Sequence, residues 1–209
     1  MVIINTVRFL LLGAICIIPA RGGSTGLRNK NILPIGGIPM IGWAIQNSLS
    51  IKEIDTTIVT TDDKNIAKIA RDYGAQTPFL RSAKLSKSSS AFTPVILDAL
   101  QRVKNKFGVY DYAVILQANS PLTTPGDIRR VIFEAIKQKR DVVFSVTNVS
   151  SPPQWTLRLK GKKPEFAFRD VSQVQNYQRQ QLEPLYRSSG AVYCANINYL
   201  ENNSDSAQL

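Results

Sequence analysis

Apolar runs and amphipathic segments alternate along the first two-thirds of the chain. The first run, Phe9–Ile18, is apolar throughout and predicts a strand that is buried on both faces, as in a parallel sheet. Shorter runs, several of them rich in β-branched residues, predict further strands. These strands are Thr56–Thr60, Thr77–Leu80, Tyr112–Gln117, Asp141–Val146 and Gly190–Ile197.

Helices are predicted in the segments between these strands. One begins at Asp62 or Asp63, either of which can cap it, and ends at Gly74; another begins at Pro125. One predicted helix is Met40–Leu49. The inward-facing residues of the other three are Ile66, Ile69, Ala70 and Tyr73; Ile96, Ala99, Leu100 and Val103; and Ile128, Ile132, Ala135 and Ile136. The alternation predicts an α/β fold, Rossmann-like and doubly wound, with a mostly parallel sheet and helices on both faces.

The alternation stops after Asn148. Segments Trp155–Leu159 and Glu165–Phe168 predict a hairpin, and Gln173–Leu182 is polar and rich in glutamine. We therefore expect one domain over residues 1–209, in which residues 149–186 are an insertion that projects from the sheet.

The composition limits the chemistry that this fold can carry. The 209 residues include no histidine, which excludes Ser-His-Asp and Cys-His catalysis. Cys16 and Cys194 are too distant in sequence to form a usual zinc site, and their apolar neighbours indicate core thiols in a reducing compartment. What remains is positioning, the charge of lysine and arginine, and a metal ion held by carboxylates. Phosphoryl and nucleotidyl transfer need no more than this.

The net charge of +11 points to an anionic partner: nucleic acid, membrane headgroups or a phosphorylated small molecule. No long basic run and no interleaved aromatic–basic tract occurs in the sequence, which disfavours nucleic acid. The apolar run after Arg8 imitates a secretion signal, which stays the alternative to a strand. The run is too short to span a bilayer and continues into Pro19, so we favour the strand. Met1–Arg8 would then be an extra leader. We expect a cytoplasmic protein without membrane partners.

Ligands of open α/β sheets bind at the carboxyl ends of the strands. Four segments should gather there: the loop after the first strand, Thr60–Asp63, Arg81 with the serine run Ser86–Ser90, and Gln117–Pro121.

The loop after the first strand, Gly22–Gly26, matches neither the Walker pattern nor G-x-G-x-x-G. Its glycines nevertheless allow backbone N–H groups to approach phosphate oxygens, and Arg21 and Lys30 bring positive charge from both ends. A triphosphate suits this loop. The alternative is a mobile turn with solvated cations.

A set of motifs runs through nearly the whole chain in a fixed order. It begins with Ile18–Ser24, Leu27 and Lys30-Asn31, and it ends with Arg187–Tyr193. Between these lie Gly37–Met40, Thr60–Asp63, Leu80-Arg81, Leu116–Leu122 and Arg179–Leu182. Each motif by itself is a weak indication of a family. The ordered set resembles the acylneuraminate cytidylyltransferases, the CMP-sialic acid synthetases. The insertion at 149–186 lies where that family has a dimerisation subdomain.

The resemblance implies an enzyme that joins CTP to a nine-carbon α-keto (nonulosonic) acid, releasing pyrophosphate with the help of Mg²⁺, and that forms a homodimer through residues 149–186. The anomeric hydroxyl of the sugar would attack the α-phosphorus of CTP. Catalytic roles are implied for Arg21 and Lys30. Contacts with the nucleotide are implied for Arg21, Gly22, Gly23, Ser24, Lys30, Asn31 and Arg81.

Contacts with the sugar acid are implied for four residues, with an arginine meeting its carboxylate. They are Gln117, Arg179, Arg187 and Tyr193. For the two arginines the alternative is ordinary ion pairing at the surface.

The chain departs from the family pattern at several positions. Thr25 stands where many of the sialate enzymes have a second lysine, and a threonine at this place resembles the related CMP-KDO synthetases. Arg28 stands where proline is common. We hypothesise that the Arg28 guanidinium replaces the missing ammonium group. Lys87 and its neighbouring serines replace a segment that often carries aspartate. Trp155 lies where some relatives place a substrate lysine, which leaves a sugar other than N-acetylneuraminate as an open alternative.

The metal site of the family resembles Asp-x-Asp beyond the last strands, and Asp205 lies in no such context before Leu209. We therefore assign no metal ligands and interpret Asp62 and Asp63 as helix caps. We expect either a shortened chain or a protein that binds Mg²⁺ poorly. The rival interpretations are a CMP-KDO-like enzyme, a legionaminate or pseudaminate cytidylyltransferase, and a catalytically impaired relative that binds nucleotide.

Overall fold

The computed structural model describes residues 13–24, 26–167 and 183–204. Strand β1 (Ala14–Pro19) lies at the centre of its sheet, with a parallel strand on each side: β4 (Ile54–Thr60) and β5 (Tyr112–Leu116). Its first five residues are buried. The described part of the first apolar run is therefore the doubly buried parallel strand that the sequence predicts.

The main sheet has the strand order β4-β1-β5-β9-β6, where β6 is Val142–Asn148 and β9 is Tyr186–Asn196. Strand β9 runs antiparallel to β5, so the last predicted strand enters the sheet against the direction of its neighbour. The sheet is parallel across β4, β1 and β5. Its mixed character on the other side is a feature that the local sequence pattern does not encode, since strand direction depends on the connections.

Helices cover both faces of the sheet, which confirms the doubly wound prediction. Alternate residues of β1 divide between two buried clusters, with Cys16 and Ile18 in one and Ile15 and Ile17 in the other. Helices α1 (Met40–Leu49), α2 (Lys64–Asp72) and α4 (Pro125–Lys137) contribute to the first cluster, and α3 (Phe92–Phe107) and α5 (Ile197–Asn202) contribute to the second.

The predicted helix starts are confirmed by their hydrogen bonds. The Asp63 carboxylate accepts from the backbone N–H groups of Asn65 and Ile66 at 2.7 and 3.1 Å and so caps α2. Helix α4 begins with a capping box between Thr124 and Asp127.

One predicted strand is wrong. Thr77–Leu80 forms no strand, and a single bridge joins Gln76 to Ile58 of β4. Pro78 has no N–H group to donate to a ladder, which limits pairing beyond the bridge. A turn at Gly36-Gly37 joins two short antiparallel strands, β2 (Pro34–Ile35) and β3 (Ile38–Pro39).

Both cysteines are buried free thiols, as predicted. Burial raises the pKa of the Cys194 thiol to about 12 and raises the pKa of the Cys16 thiol further. Neither side chain is a nucleophile at neutral pH, because the reactive form of cysteine is the thiolate.

The described residues fall into two compact units, the larger within Met1–Ser145 and Gly190–Leu209 and the smaller within Val146–Ser189. In the smaller unit, β7 (Leu157–Lys160) and β8 (Lys163–Phe166) form an antiparallel hairpin. The polar segment Gln173–Leu182 lies outside the described residues. No helix within the described ranges is both long enough and apolar enough to cross a membrane.

Candidate functional site

A cleft of about 410 Å³ opens in the larger unit at the carboxyl ends of β1 and β5. Three of the segments that the sequence places at this edge line the cleft, and the fourth, at the end of β4, contacts two of them. The polar and charged residues that line the cleft are Arg21, Ser24, Lys30, Asn31, Arg81, Lys87, Ser88, Ser90, Gln117 and Asn119.

The loop after β1 is fastened at both ends. Its first residue, Ala20, donates its N–H to the Thr60 carbonyl at 3.0 Å, which extends the β1–β4 pairing. At the far end, the buried side chain of Asn31 donates from Nδ2 to the Arg21 carbonyl at 3.0 Å. The Asn31 amide nitrogen therefore holds the loop closed and brings Arg21 and Lys30 to the same cleft. A contact between Asn31 and a nucleotide stays a prediction.

The first two glycines of the loop differ in their surroundings. A Cβ atom on Gly22 would lie 2.8 Å from Asp63 Oδ2, whereas a Cβ atom on Gly23 would meet nothing within 4 Å. The N–H of Gly22 donates to Asp62 Oδ1 at 3.0 Å. Gly22 is thus required for close packing against the end of β4, while Gly23 leaves the backbone open to an approaching group.

Arg81 is a buried cation in the wall of the cleft, with only 7% of its surface exposed. Its backbone N–H donates to the Thr61 carbonyl at 2.7 Å, and its Nε donates to Ser86 Oγ at 3.3 Å. Its Nη2 lies 3.9 Å from Asp62 Oδ1. Burial lowers the pKa of Arg81, and the charge of Arg21 lowers it further, while Asp62 opposes both effects.

The serine run folds into a compact turn after the short helix Ala83–Leu85. Ser86 Oγ donates to the Ser82 carbonyl at 2.8 Å, and Ser90 Oγ donates to the Lys84 carbonyl at 3.2 Å. The turn brings Lys87 to the cleft.

All the described charged side chains that line the cleft are positive. Arg21, Lys30, Arg81 and Lys87 line it, and none of the described lining residues is an aspartate or glutamate. Four cations converging on one cleft favour a ligand with several negative charges, such as a polyphosphate.

The far wall of the cleft follows β5. Gln117 lines it and donates its N–H to the Ala191 carbonyl at 3.1 Å, which fixes this wall to β9. Tyr193 packs its ring against Phe92, a lining residue, at a centroid distance of 5.9 Å. Tyr193 therefore lies behind Phe92 and does not itself line the cleft. A contact between Tyr193 and a sugar stays a prediction.

Two of the predicted sugar contacts are not part of this cleft as described. Arg187 is exposed and lies in the smaller unit, and Arg179 lies outside the described residues. Thr25 also lies outside them, and Arg28 is exposed on the loop. The roles of these four residues stay predictions.

Sequence reasoning overlooked the contacts of Asp62 and the apolar part of the cleft. Helix capping explained either Asp62 or Asp63, and only the structure shows that Asp63 caps α2 while Asp62 contacts the loop and Arg81. The apolar lining residues include Phe92 and Val95 of α3, whose helical pattern reads as ordinary core.

The carboxylates near the cleft do not form a metal site. Within residues 13–24, 26–167 and 183–204, no group of three metal-ligating side chains occurs. Asp63 is engaged in capping, and Asp62 faces the N–H of Gly22 and the Arg81 guanidinium. Mg²⁺ prefers one or two free carboxylates beside substrate phosphates, so the described residues do not fit a protein-made magnesium site.

Comparison with known proteins identifies the family of this arrangement. A family model described as cytidylyltransferase matches residues 15–197, which span both β1 and β9. The match therefore includes every described segment that lines the cleft.

Two curated relatives resemble the chain over most of its length. The pseudaminic acid cytidylyltransferase of Campylobacter jejuni is 30% identical over 179 residues, which are 86% of this chain and 76% of the relative. The CMP-N,N'-diacetyllegionaminic acid synthase of Legionella pneumophila is 31% identical over 193 residues, which are 90% of this chain and 80% of the relative.

Solved structures share the fold at lower sequence identity. A CMP:2-keto-3-deoxy-manno-octonic acid synthetase in complex with CTP superposes with a TM-score of 0.69 over 94% of this chain and 79% of that structure, at 18% identity.

The packing at Gly22 predicts that Gly22→Ala destabilises the protein. The added methyl group would lie within 3 Å of the Asp63 side chain, so the loop or the α2 cap must shift, at a cost of about 1–3 kcal/mol. Urea unfolding followed by circular dichroism measures this change.

Gly23→Ala is the matched control, because its methyl group meets open space. We expect its free energy of unfolding to differ from wild type by less than about 1 kcal/mol. Equal unfolding free energies for the two variants would contradict the packing that we assign to Gly22.

Proposed function

The chain belongs to the cytidylyltransferase family, and from that premise we propose that it transfers CMP from CTP to a nonulosonic acid of the sialic type, releasing pyrophosphate. The observation that carries this proposal is the cleft itself. Its lining combines Arg21, Lys30, Arg81 and Lys87 with no described carboxylate, at the edge of the sheet where ligands of such folds bind.

The transfer needs little from the protein beyond positioning and positive charge. A bond forms between the anomeric oxygen of the sugar and the α-phosphorus, while the bond from that phosphorus to the pyrophosphate oxygen breaks and its electron pair leaves with pyrophosphate. The proton of the anomeric hydroxyl group passes to solvent. Arg21 and Lys30 neutralise the charge that develops on the α-phosphate and the leaving group. The backbone that carries both residues is closed by the hydrogen bond from the Asn31 side chain to the Arg21 carbonyl.

The sugar acid is assigned to the side of the cleft that Gln117 lines, where Tyr193 packs behind Phe92. An arginine suits its carboxylate, because the guanidinium donates two parallel hydrogen bonds. Arg179 and Arg187 are the proposed partners. The two curated relatives are named for pseudaminic acid and for N,N'-diacetyllegionaminic acid, which supports acids of this class as the first substrates to test.

The proposal includes a requirement for Mg²⁺. No step is assigned to the ion, since the described residues supply no carboxylate site for it. A reducing, cytoplasmic compartment also belongs to the proposal, and the two buried free thiols support it.

A homodimer through the smaller unit is the last part of the proposal. Leu157 and Leu159 lie on one face of the β7–β8 hairpin, where they pair with Phe166 and Pro164. The exposed fractions of Leu159, Phe166 and Leu157 are 69%, 56% and 52%. Such a row of exposed apolar side chains is typical of a surface that a partner covers, and the proposed partner is a second copy of this chain.

Pyrophosphate release tests the proposed reaction. Protein, CTP and Mg²⁺ are incubated separately with pseudaminic, N,N'-diacetyllegionaminic, N-acetylneuraminic and 2-keto-3-deoxy-manno-octonic acids. We expect release with at least one of the nine-carbon acids, and loss of release when EDTA removes the metal. CTP binding without release from any acid would instead favour a binding protein, and release only with the eight-carbon acid would favour the CMP-KDO-like alternative.

Lys30→Ala is expected to lower kcat of this reaction about 10²–10³-fold, because one charge that stabilises the transition state is removed. Lys68→Ala is the matched control: Lys68 is an exposed lysine of α2 and does not line the cleft. Its kcat should equal that of wild type. A Lys30→Ala enzyme with unchanged kcat would remove Lys30 from the mechanism.

Leu159→Glu is expected to convert the dimer to a monomer, because it places a charge on the apolar face of the hairpin. Light scattering after size-exclusion chromatography gives the mass. Lys162→Glu, in the exposed hairpin turn, introduces the same side chain off that face and should leave the mass unchanged. A monomeric wild type, or a dimeric Leu159→Glu variant, would contradict dimerisation through this hairpin.

A further inference from the structure

Asp62 joins two parts of the cleft that are far apart in sequence. Its Oδ1 accepts the N–H of Gly22 in the loop after β1, at 3.0 Å. The same oxygen lies 3.9 Å from Nη2 of Arg81, which also lines the cleft. One carboxylate oxygen therefore faces both the glycine loop and the buried guanidinium.

The geometry at Arg81 leaves its ligand-binding donors available. At 3.9 Å the contact with Asp62 is an electrostatic attraction and exceeds hydrogen-bond length. Nε is occupied by Ser86 Oγ, and the backbone N–H is occupied by the Thr61 carbonyl. Among the residues that the structure describes, the two terminal nitrogens of Arg81 have no hydrogen-bond acceptor. Asp62 thus holds the guanidinium by charge without using its terminal N–H groups.

Burial makes this attraction important. The side chain of Arg81 is only 4% exposed, and a cation removed from water needs an opposite charge nearby. Arg21 is close enough to disfavour the charged form of Arg81, and Asp62 counteracts it. Without Asp62, the repulsion between the Arg21 and Arg81 charges would lose its nearby counter-charge, and the Arg81 guanidinium would lose the carboxylate that attracts it.

We propose that Asp62 is a positioning residue for CTP: it holds the loop after β1 in place through the Gly22 N–H, and it orients Arg81 so that the terminal N–H groups of Arg81 receive the nucleotide. The proposal rests on the function proposed above. It assigns Asp62 no contact with CTP and no part in bond making or breaking.

Neutralising Asp62 distinguishes this role from a simple effect of charge. A negative charge beside a polyanion site opposes binding, so through-space electrostatics alone predicts that Asp62→Asn tightens CTP binding. The positioning role predicts the opposite sign. Asparagine retains an oxygen that can accept the Gly22 N–H but carries no charge to orient Arg81, so binding should weaken.

Isothermal titration with CTP measures the effect. We expect the Kd of Asp62→Asn to be roughly tenfold higher than that of wild type, the scale of one charge-assisted contact. In the steady state the KM for CTP should rise by a similar factor, while kcat changes less than about threefold, since uniform binding is lost. Asp62→Asn should also lower the Tm, because buried Arg81 loses the charge that offsets its burial, so binding is measured at a temperature where both proteins are folded by circular dichroism.

A double-mutant cycle tests the route through Arg81. In an Arg81→Ala background, Asp62→Asn should cause no further weakening, because the side chain that it orients is gone. Asp63→Asn is the matched control: it removes the neighbouring carboxylate charge, retains a capping side chain and has no contact with Arg81. Its Kd for CTP should equal or fall below that of wild type.

Ser86→Ala provides a second test that does not alter Asp62. It removes the acceptor of Arg81 Nε and should raise the Kd for CTP about threefold. A wild-type protein that binds no CTP would overturn the proposed function itself. Wild-type binding together with unchanged or tighter binding by Asp62→Asn would overturn the role of Asp62 alone, as would equal weakening in the presence and absence of Arg81.

Discussion

The pairing of β1 with a parallel strand on each side is the constraint on which the cleft depends. Beyond the strands, the Ala20 N–H continues this pairing to the Thr60 carbonyl, and the Arg81 N–H donates to the carbonyl of the next residue, Thr61. The glycine loop and the buried arginine are therefore both fastened to the end of β4. Because the strand ends are rigid, the charged groups that they carry meet at fixed positions.

Because the chain has no histidine, the chemistry of the cleft depends on positive charge held at fixed positions. Arg21, Lys30 and Lys87 are brought to the cleft by loops, whereas Arg81 is buried in its wall. Burial strengthens the field of Arg81 on a bound anion, since little water screens it, and it also makes the cation costly to keep. Asp62 offsets that cost. A reaction whose transition state spreads negative charge over phosphate oxygens suits such a site.

Much of this arrangement follows from the sequence, because it depends on local patterns. The structure reproduces the buried β1, the bounds of Met40–Leu49 and a helix cap at one of the two aspartates Asp62 and Asp63, all of which rest on residue spacing. The predicted strand at Thr77–Leu80 failed because its β-like composition includes a proline that cannot donate to a ladder. The antiparallel direction of β9 and the contacts of Asp62 depend on tertiary placement, which spacing along the chain does not specify.

The central claim is that the cationic cleft holds the triphosphate of CTP, and a crystal structure of the protein with CTP tests it most directly. The account predicts phosphate oxygens within hydrogen-bond distance of Arg21 and Lys30, beside the backbone of Gly23. It also predicts that the terminal nitrogens of Arg81 contact the nucleotide, with Asp62 still bonded to the Gly22 N–H. A CTP molecule bound away from the loop after β1 would contradict the claim.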